Sequence, residues 1–328
     1  MGVTILLAAN FPVGLRDKLG PSMSVIGPCG LPVGANLTAD ETARVRVLIT
    51  MGTLTTDAQV MDRLPNLGLI CCYGTGYEGV DVGAARKRGI RLTHSPAANA
   101  AAVADHAIAL LLAAARRIVL ADQFVRDGRW LGQSAERMPI VHGLTGRKIG
   151  IFGYGAIGKK IADRAAAFEA QVAYYNRSRK PDAPYDFYPS LQSLADWADI
   201  LIIAARADAS NRHAVGREVL IALGPHGIVI NIARGSIIDE RALIELLQSG
   251  ELGSAGLDVY EYEPAVPDAL KAIPHVVLAP HIGGGTFDAH EAMQELVCTN
   301  IKAYLAGELI KTPVPESQPT LGECLREI

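Results

Sequence analysis

The chain has 328 residues, 49% of them hydrophobic and 20% charged, with a formal net charge of −3. That length allows two domains with separate cores, and that composition describes an ordinary globular protein. The near-balanced charge gives no electrostatic reason to expect nucleic acid or an acidic membrane as a partner. Residues 3–8 form an apolar run of strand type, with no basic leader or cleavage signal before it, so they read as a first strand. Five cysteines show no CxxC or metal-ligand spacing, and no metal site is expected. Cys71 and Cys72 are neighbours in a buried-strand pattern, where core packing in a reduced, cytoplasmic compartment is the expectation.

Residues 22–26 suggest a second strand, and Thr38 with Glu41 has the capping-box spacing that starts a helix. The runs 45–50 and 67–73 read as strands, with a helix between them that ends near Pro65. Gly74-Thr75-Gly76-Tyr77-Glu78-Gly79 follows as a glycine-rich loop, then a helix over 82–88, a stop at Gly89 and a strand over 90–93. Such alternation predicts a parallel sheet with helices on both faces. From Ala100 one alanine- and leucine-rich helix is expected to run to about Asp127. Its most apolar part, residues 100–115, contains Asp105 and His106 and is too short to span a bilayer.

The second unit opens on residues 148–168, KIGIFGYGAIGKKIADRAAAF. A short strand meets Gly153-Tyr154-Gly155-Ala156-Ile157-Gly158, after which Ile157, Ile161 and Ala165 recur at helical spacing. Gly153 permits the tight turn, Gly155 lets backbone approach a pyrophosphate, and Gly158 lets the helix pack on its strand. The helix start offers unpaired N–H groups and a positive dipole end to phosphates. A lone GxGxxG is weak, but this one lies between a strand and a helix, with a second strand following at 172–175. Strands over 200–204, 228–232, 254–256 and 276–279, with helices such as 241–247 between them, complete another doubly wound sheet.

A last helix over 287–305 and an extended tail over 312–315 come after this unit is complete. The final helix is therefore expected to return to the first unit. The fold class is α/β with two doubly wound parallel-sheet domains. Residues 1–97 plus 286–328 form a flavodoxin-like substrate-binding domain, and residues 98–285 a Rossmann-like dinucleotide-binding domain. A cleft between them is expected to hold the chemistry, since ligands of open α/β sheets bind beyond the carboxyl ends of strands.

Three polar residues follow apolar strands of the second unit: Arg234, Glu263 and His281. Singly, each has a bland reading: a helix cap, a solvated carboxylate beside Pro264, a satisfied loop histidine. Jointly they are the set that reduction of a 2-keto acid requires. The carbonyl carbon takes hydride from a nicotinamide while the oxygen needs a proton, which a histidine can supply near neutrality. A carboxylate bonded to the imidazole favours its protonated form and orients it. Arginine holds the substrate carboxylate and polarises the carbonyl. Gly74, Thr75 and Gly76 offer bare N–H groups to the same carboxylate.

At these residues the sequence resembles the D-2-hydroxyacid dehydrogenases. The motifs are G-Y-G-A-I-G at 153–158, N-I-A-R-G at 231–235, G-L-D-V-Y at 256–260 with Glu263-Pro264, and P-H-I-G at 280–283. The resemblance extends from Val45 to about Val314 and looks strongest to the glyoxylate/hydroxypyruvate reductase branch. It implies Arg234 as substrate binder, Glu263 as partner of His281, and His281 as general acid/base. It also implies a homodimer formed mainly through the cofactor domains, with residues 124–138 as an arm. Ala233, Asp258 and Gly283, inside these motifs, are expected beside the cofactor. Where relatives often carry Leu-Pro and a following Thr, this chain has Ala205-Arg206 and Asn211, and Arg206 reads as a solvated loop residue. Trp130 and Met138 are candidates to line the pocket across the dimer, although packing explains Trp130 as well. His94, His106, His142, His213, His226, His275 and His290 are read as structural. Rival readings are a formate-type or larger-keto-acid dehydrogenase of the same fold, or a dinucleotide-sensing binding protein.

The cofactor expectation rests on Asn176, Arg177, Ser178 and Arg179. An NAD enzyme of this architecture places Asp or Glu at the end of the second strand, on the ribose 2′-OH. Asn176 removes that carboxylate, and the arginines and hydroxyl behind it suit a 2′-phosphate. NADPH is expected, with NADH as the weaker cofactor.

Overall fold

The computed structural model describes residues 3–132 and 137–318. It divides into two compact units, Met1–Asn99 with Thr286–Ile328, and Ala100–Gly285.

The first unit begins β1 (Thr4–Leu7), α1 (Leu15–Leu19), β2 (Ser24–Ile26), α2 (Ala39–Arg44), β3 (Val45–Met51), α3 (Ala58–Asp62), β4 (Leu69–Tyr73), α4 (Val82–Lys87) and β5 (Arg91–Thr93). All five strands are parallel, in the order β2-β1-β3-β4-β5 of a flavodoxin-like sheet. A parallel sheet is covered on both faces, so its strands are continuous apolar runs, and every residue of β4 is buried. Leu6, Leu48, Ile70 and Leu92 share one core. Cys71 and Cys72 belong to β4, and burial pushes the Cys71 thiol up to about 12, which suits packing and not reaction. Helix starts follow local chemistry. Glu41 N–H donates to the Thr38 hydroxyl and Thr38 N–H to the Glu41 carboxylate, while Asp57 and Asp81 cap α3 and α4.

The second unit begins with α5 (Ala100–Ala115) and α6 (Ile118–Arg126), where a single helix to Asp127 was expected. Arg117 stands between them at φ 50°. A left-handed residue interrupts the i→i−4 ladder and turns the chain, and an arginine carries no sequence signal for that conformation. Then come β6 (Lys148–Phe152), α7 (Ala156–Ala167), β7 (Gln171–Tyr175), β8 (Asp186–Phe187), α8 (Leu191–Trp197), β9 (Ile200–Ile203), α9 (Arg217–Leu223), β10 (Ile228–Asn231), α10 (Glu240–Ser249), β11 (Ser254–Leu257), α11 (Asp268–Lys271) and β12 (Val277–Leu278). The seven strands are parallel in the order β12-β11-β10-β9-β6-β7-β8. Strand order reverses beside β6, so the glycine loop after β6 lies at the switch point where such sheets bind ligands. Both faces of this sheet are covered: on β9, Leu201 and Ile203 enter the core on one face, and Ile200 and Ile202 the core on the other. β8 was not foreseen, because two residues carry no period.

The chain returns to the first unit as α12 (Phe287–Leu305). Beyond it Asn300 Oδ1 accepts from the N–H groups of Lys311 and Thr312, 2.8 and 3.1 Å away. Val314 N–H donates to Leu92 O at 2.9 Å, and a short 3-10 turn, Pro315–Ser317, follows. No helix among the described residues is long and apolar enough to cross a membrane.

Candidate active site

The glycine loop has the geometry that its spacing predicts. Gly153 takes φ 103°, and a Cβ there would run into the backbone of Ala204 and Ala205. A Cβ at Gly158 would collide with the Gly153 carbonyl, so α7 can approach β6 only without one. Gly155 is the N-cap of α7 with no side chain over it, and a Cβ at Gly155 would meet nothing. The first-turn N–H groups of Ala156 and Ile157 have no intrahelical acceptor in reach, which is the donor set that a diphosphate uses. The residues present thus fit a dinucleotide.

Asn176 has a task that the sequence did not reveal. Its Oδ1 accepts from Tyr154 N–H at 2.8 Å and its Nδ2 faces Tyr154 O at 3.4 Å, tying the end of β7 to the glycine loop. Arg177 is 83% exposed and its Nη1 lies 3.3 Å from Asp208 Oδ2. Ser178 and Arg179 are exposed beside it. Hydrogen bonds from Ser210, aided by the charges of Arg177 and Arg206, hold the Asp208 carboxyl below its usual range.

Arg234, Glu263 and His281 are brought together within the second unit. Arg234 follows β10, where the buried Asn231 braces the turn: Nδ2 donates to Arg234 O at 2.9 Å, and Oδ1 accepts from Ala233 N–H at 3.0 Å. Arg234 Nη1 donates to Ala233 O at 2.6 Å. Glu263 Oε1 accepts from Tyr260 N–H at 3.1 Å, and Glu263 Oε2 lies 2.7 Å from His281 Nδ1. Burial works to raise the Glu263 carboxyl. The bond and charge of His281, the Tyr260 N–H and the charge of Arg234 outweigh it and hold Glu263 below the usual range.

His281 itself sits at φ 55°, a conformation that non-glycine residues rarely take. Asp258 is what holds it there. Its carbonyl accepts from His281 N–H at 2.9 Å, and its carboxylate accepts from the N–H groups of Ile282 and Gly283, each at 2.8 Å. His106 Nε2 approaches Asp258 Oδ1 to 3.2 Å, off the line of a good hydrogen bond. Burial would raise the Asp258 carboxyl, yet His106 and the two N–H groups keep it low. Asp258 and Gly283, expected beside the cofactor, are thus engaged with one another. His106, read as structural, packs against Asp258, and the ring nitrogens of His94, His213 and His290 face Thr75 O, Glu261 and Tyr73. Asn231 and Asp258 were the supports least visible beforehand; both lie inside the quoted motifs.

In the first unit Gly74 takes φ 118° at the end of β4. Among the described residues the N–H groups of Thr75 and Gly76 meet no acceptor, while the rest of the loop is well tied. Thr75 Oγ1 reaches Ser95 O at 3.3 Å and Asn99 Oδ1 at 3.2 Å, and Ser95 N–H donates to Gly74 O at 2.7 Å. Two free N–H groups on a braced loop form an anion cradle. No group of metal-binding side chains occurs among the described residues.

Residues 108–283 match the model of the D-isomer specific 2-hydroxyacid dehydrogenase family, NAD binding domain. The chain belongs to that family. It is an oxidoreductase. Its sequence is 40% identical over 270 residues to a glyoxylate/hydroxypyruvate reductase A of Arabidopsis thaliana, covering 82% of this chain and 85% of that one. It is 38% identical over 312 residues to hydroxyphenylpyruvate reductase of Plectranthus scutellarioides, covering 95% and 99%. Among solved structures it resembles an NADPH-dependent glyoxylate/hydroxypyruvate reductase from Sinorhizobium meliloti in complex with NADP and malonate. The TM-score is 0.89 at 35% identity, over 98% of this chain and 100% of that one. The dehydrogenase fold, with its five- and seven-stranded parallel sheets, is the expected one.

Proposed function

We propose that the enzyme reduces small 2-keto acids of the glyoxylate and hydroxypyruvate class to 2-hydroxy acids, preferring NADPH. The observation that carries this reading is the 2.7 Å contact between His281 Nδ1 and Glu263 Oε2, with Arg234 adding its charge to the same group. The activities named for the plant relative and the Sinorhizobium neighbour support the substrate class. The 153–158 loop and the start of α7 would hold the diphosphate of a nicotinamide cofactor, which would supply the hydride. With Nδ1 turned to Glu263, Nε2 of His281 is the nitrogen left to deliver the proton to the carbonyl oxygen, so one hydride and one proton yield the hydroxy acid. Glu263 fixes that tautomer and the orientation of the ring. Within the second unit Arg234 takes the substrate carboxylate and polarises the carbonyl, and within the first unit the N–H groups of Thr75 and Gly76 are a cradle for such a carboxylate.

The cofactor preference rests on Asn176 in place of a carboxylate and on Arg177, Ser178 and Arg179 behind it, and NADP in the Sinorhizobium neighbour supports it. An exposed pair such as Arg177–Asp208 is weak, so a 2′-phosphate can displace Asp208 from it. Nicotinamide absorbance with glyoxylate, hydroxypyruvate, pyruvate and formate tests the proposal; oxidation of formate without reduction of any keto acid would refute it.

We also propose that the enzyme is a homodimer. α6 exposes Ile118, Val119 and Val125, and Trp130 and Leu131 beyond it are 72% and 79% exposed, an apolar surface of the kind that partners cover. Met138 lines the same groove, and residues 133–136 of the expected arm lie outside the described residues. Light scattering should give twice the 34.8 kDa chain mass; a monomer at micromolar concentration would contradict it.

A further inference from the structure

We infer that Glu316, in the 3-10 turn Pro315–Ser317, positions the Gly74, Thr75 and Gly76 cradle for the substrate carboxylate through Tyr77. This rests on the keto-acid reading and adds a residue that no motif contains. Tyr77 directly follows the cradle; its side chain is buried, and its hydroxyl donates to Glu316 Oε2 at 2.6 Å. The edge of its ring meets His94 with centroids 5.3 Å apart, and His94 Nδ1 faces Thr75 O at 3.0 Å. Tyr77 is therefore linked to two residues of the cradle, through the backbone to Gly76 and through His94 to Thr75.

The turn that carries Glu316 is itself anchored. Thr312 Oγ1 donates to His94 O at 2.6 Å, Val314 N–H donates to Leu92 O, and Val314 is fully buried. The segment 312–314 is thus fastened beside β5, and Glu316 just beyond it presents its carboxylate to Tyr77. A hydroxyl bonded to a carboxylate is charge-assisted and short, stronger than a neutral pair. Two N–H groups can hold a carboxylate only while both point at it, so a loop free to rock loses binding before it loses chemistry. Glu316 acts on the cradle through Tyr77, which makes it a positioning residue.

The test is steady-state kinetics of Tyr77→Phe, Glu316→Ala and Glu316→Gln with glyoxylate and NADPH, joined to calorimetric titration of oxalate into the NADP+-bound enzyme. Tyr77→Phe and Glu316→Ala should each raise KM, and weaken oxalate, by roughly fivefold (about 1 kcal/mol), with kcat within about twofold of the parent. Glu316→Gln keeps an acceptor oxygen and should recover part of the loss. The double variant Tyr77→Phe/Glu316→Ala should match the worse single variant and not the product of both. NADP+ affinity should not change. A bond that merely stabilises the fold would lower the melting temperature and leave KM and oxalate affinity at parent values, and that outcome overturns the inference. Losses that multiply in the double variant overturn it too. A parent enzyme inactive toward every keto acid would instead overturn the underlying reading, so the two failures are distinct.

Discussion

At the scale of single residues, the site works by giving each charge a defined neighbour. Glu263, held below the usual carboxylate range, stays ionised through the mildly acidic region and remains able to pair with His281 there. Keto-acid reduction needs a proton at the carbonyl oxygen, and the His281 imidazole is the group placed to deliver it. The Glu263 carboxylate orients that imidazole through the 2.7 Å contact, and its charge is lost only as the pH falls through its lowered pKa. Glu263→Gln should therefore lower turnover by roughly tenfold or more and remove the acid-side loss of activity that follows protonation of Glu263. A profile that stays in place would mean that the 2.7 Å contact has no electrostatic role. Arg234, Glu263 and His281 could be picked out because charged side chains at the ends of buried strands are costly unless used. Asp258 and Asn231 could be placed in motifs but not given their tasks. Those tasks are bonds to backbone N–H and carbonyl groups of residues up to 25 positions away, and side-chain type alone does not announce such bonds. The same holds for the φ of 55° at His281.

At the scale of elements, the β6 loop and the end of β7 work as one piece, because Asn176 bonds both the N–H and the carbonyl of Tyr154. This makes the cofactor test sharper than it was from sequence. Asn176→Asp keeps an oxygen for Tyr154 N–H, so the loop persists while a negative charge now faces any 2′-phosphate. Combined with Arg177→Ala, it should reverse the preference from NADPH to NADH. One charge-assisted contact is worth roughly 1.5–3 kcal/mol, so the ratio of efficiencies should move by about tenfold or more. Equal efficiency of both cofactors in the parent, or no change in the double variant, would show that the preference lies elsewhere. Elements with a clear period and length were legible: β3, β4, β6, β9, β10 and α12 all lie where apolar patterning predicts. The break at Arg117 and the two-residue β8 were not, since one is a backbone conformation without a residue signature and the other too short for a pattern.

At the scale of the molecule, two doubly wound sheets follow from strand–helix alternation repeated on either side of a long helix. The return of the chain to the first unit through α12 could be reasoned out, because the second sheet is complete before Thr286. What the segment after α12 does there could not: the Tyr77–Glu316 bond joins residues 239 positions apart. The central claim is that His281 delivers the proton in a nicotinamide-dependent keto-acid reduction. It is tested most directly by turnover of glyoxylate at saturating NADPH in the parent and in His281→Ala, with NADPH affinity measured in both. The account predicts loss of turnover by roughly a hundredfold or more with NADPH binding nearly intact. A His281→Ala enzyme that keeps most of its turnover would contradict it.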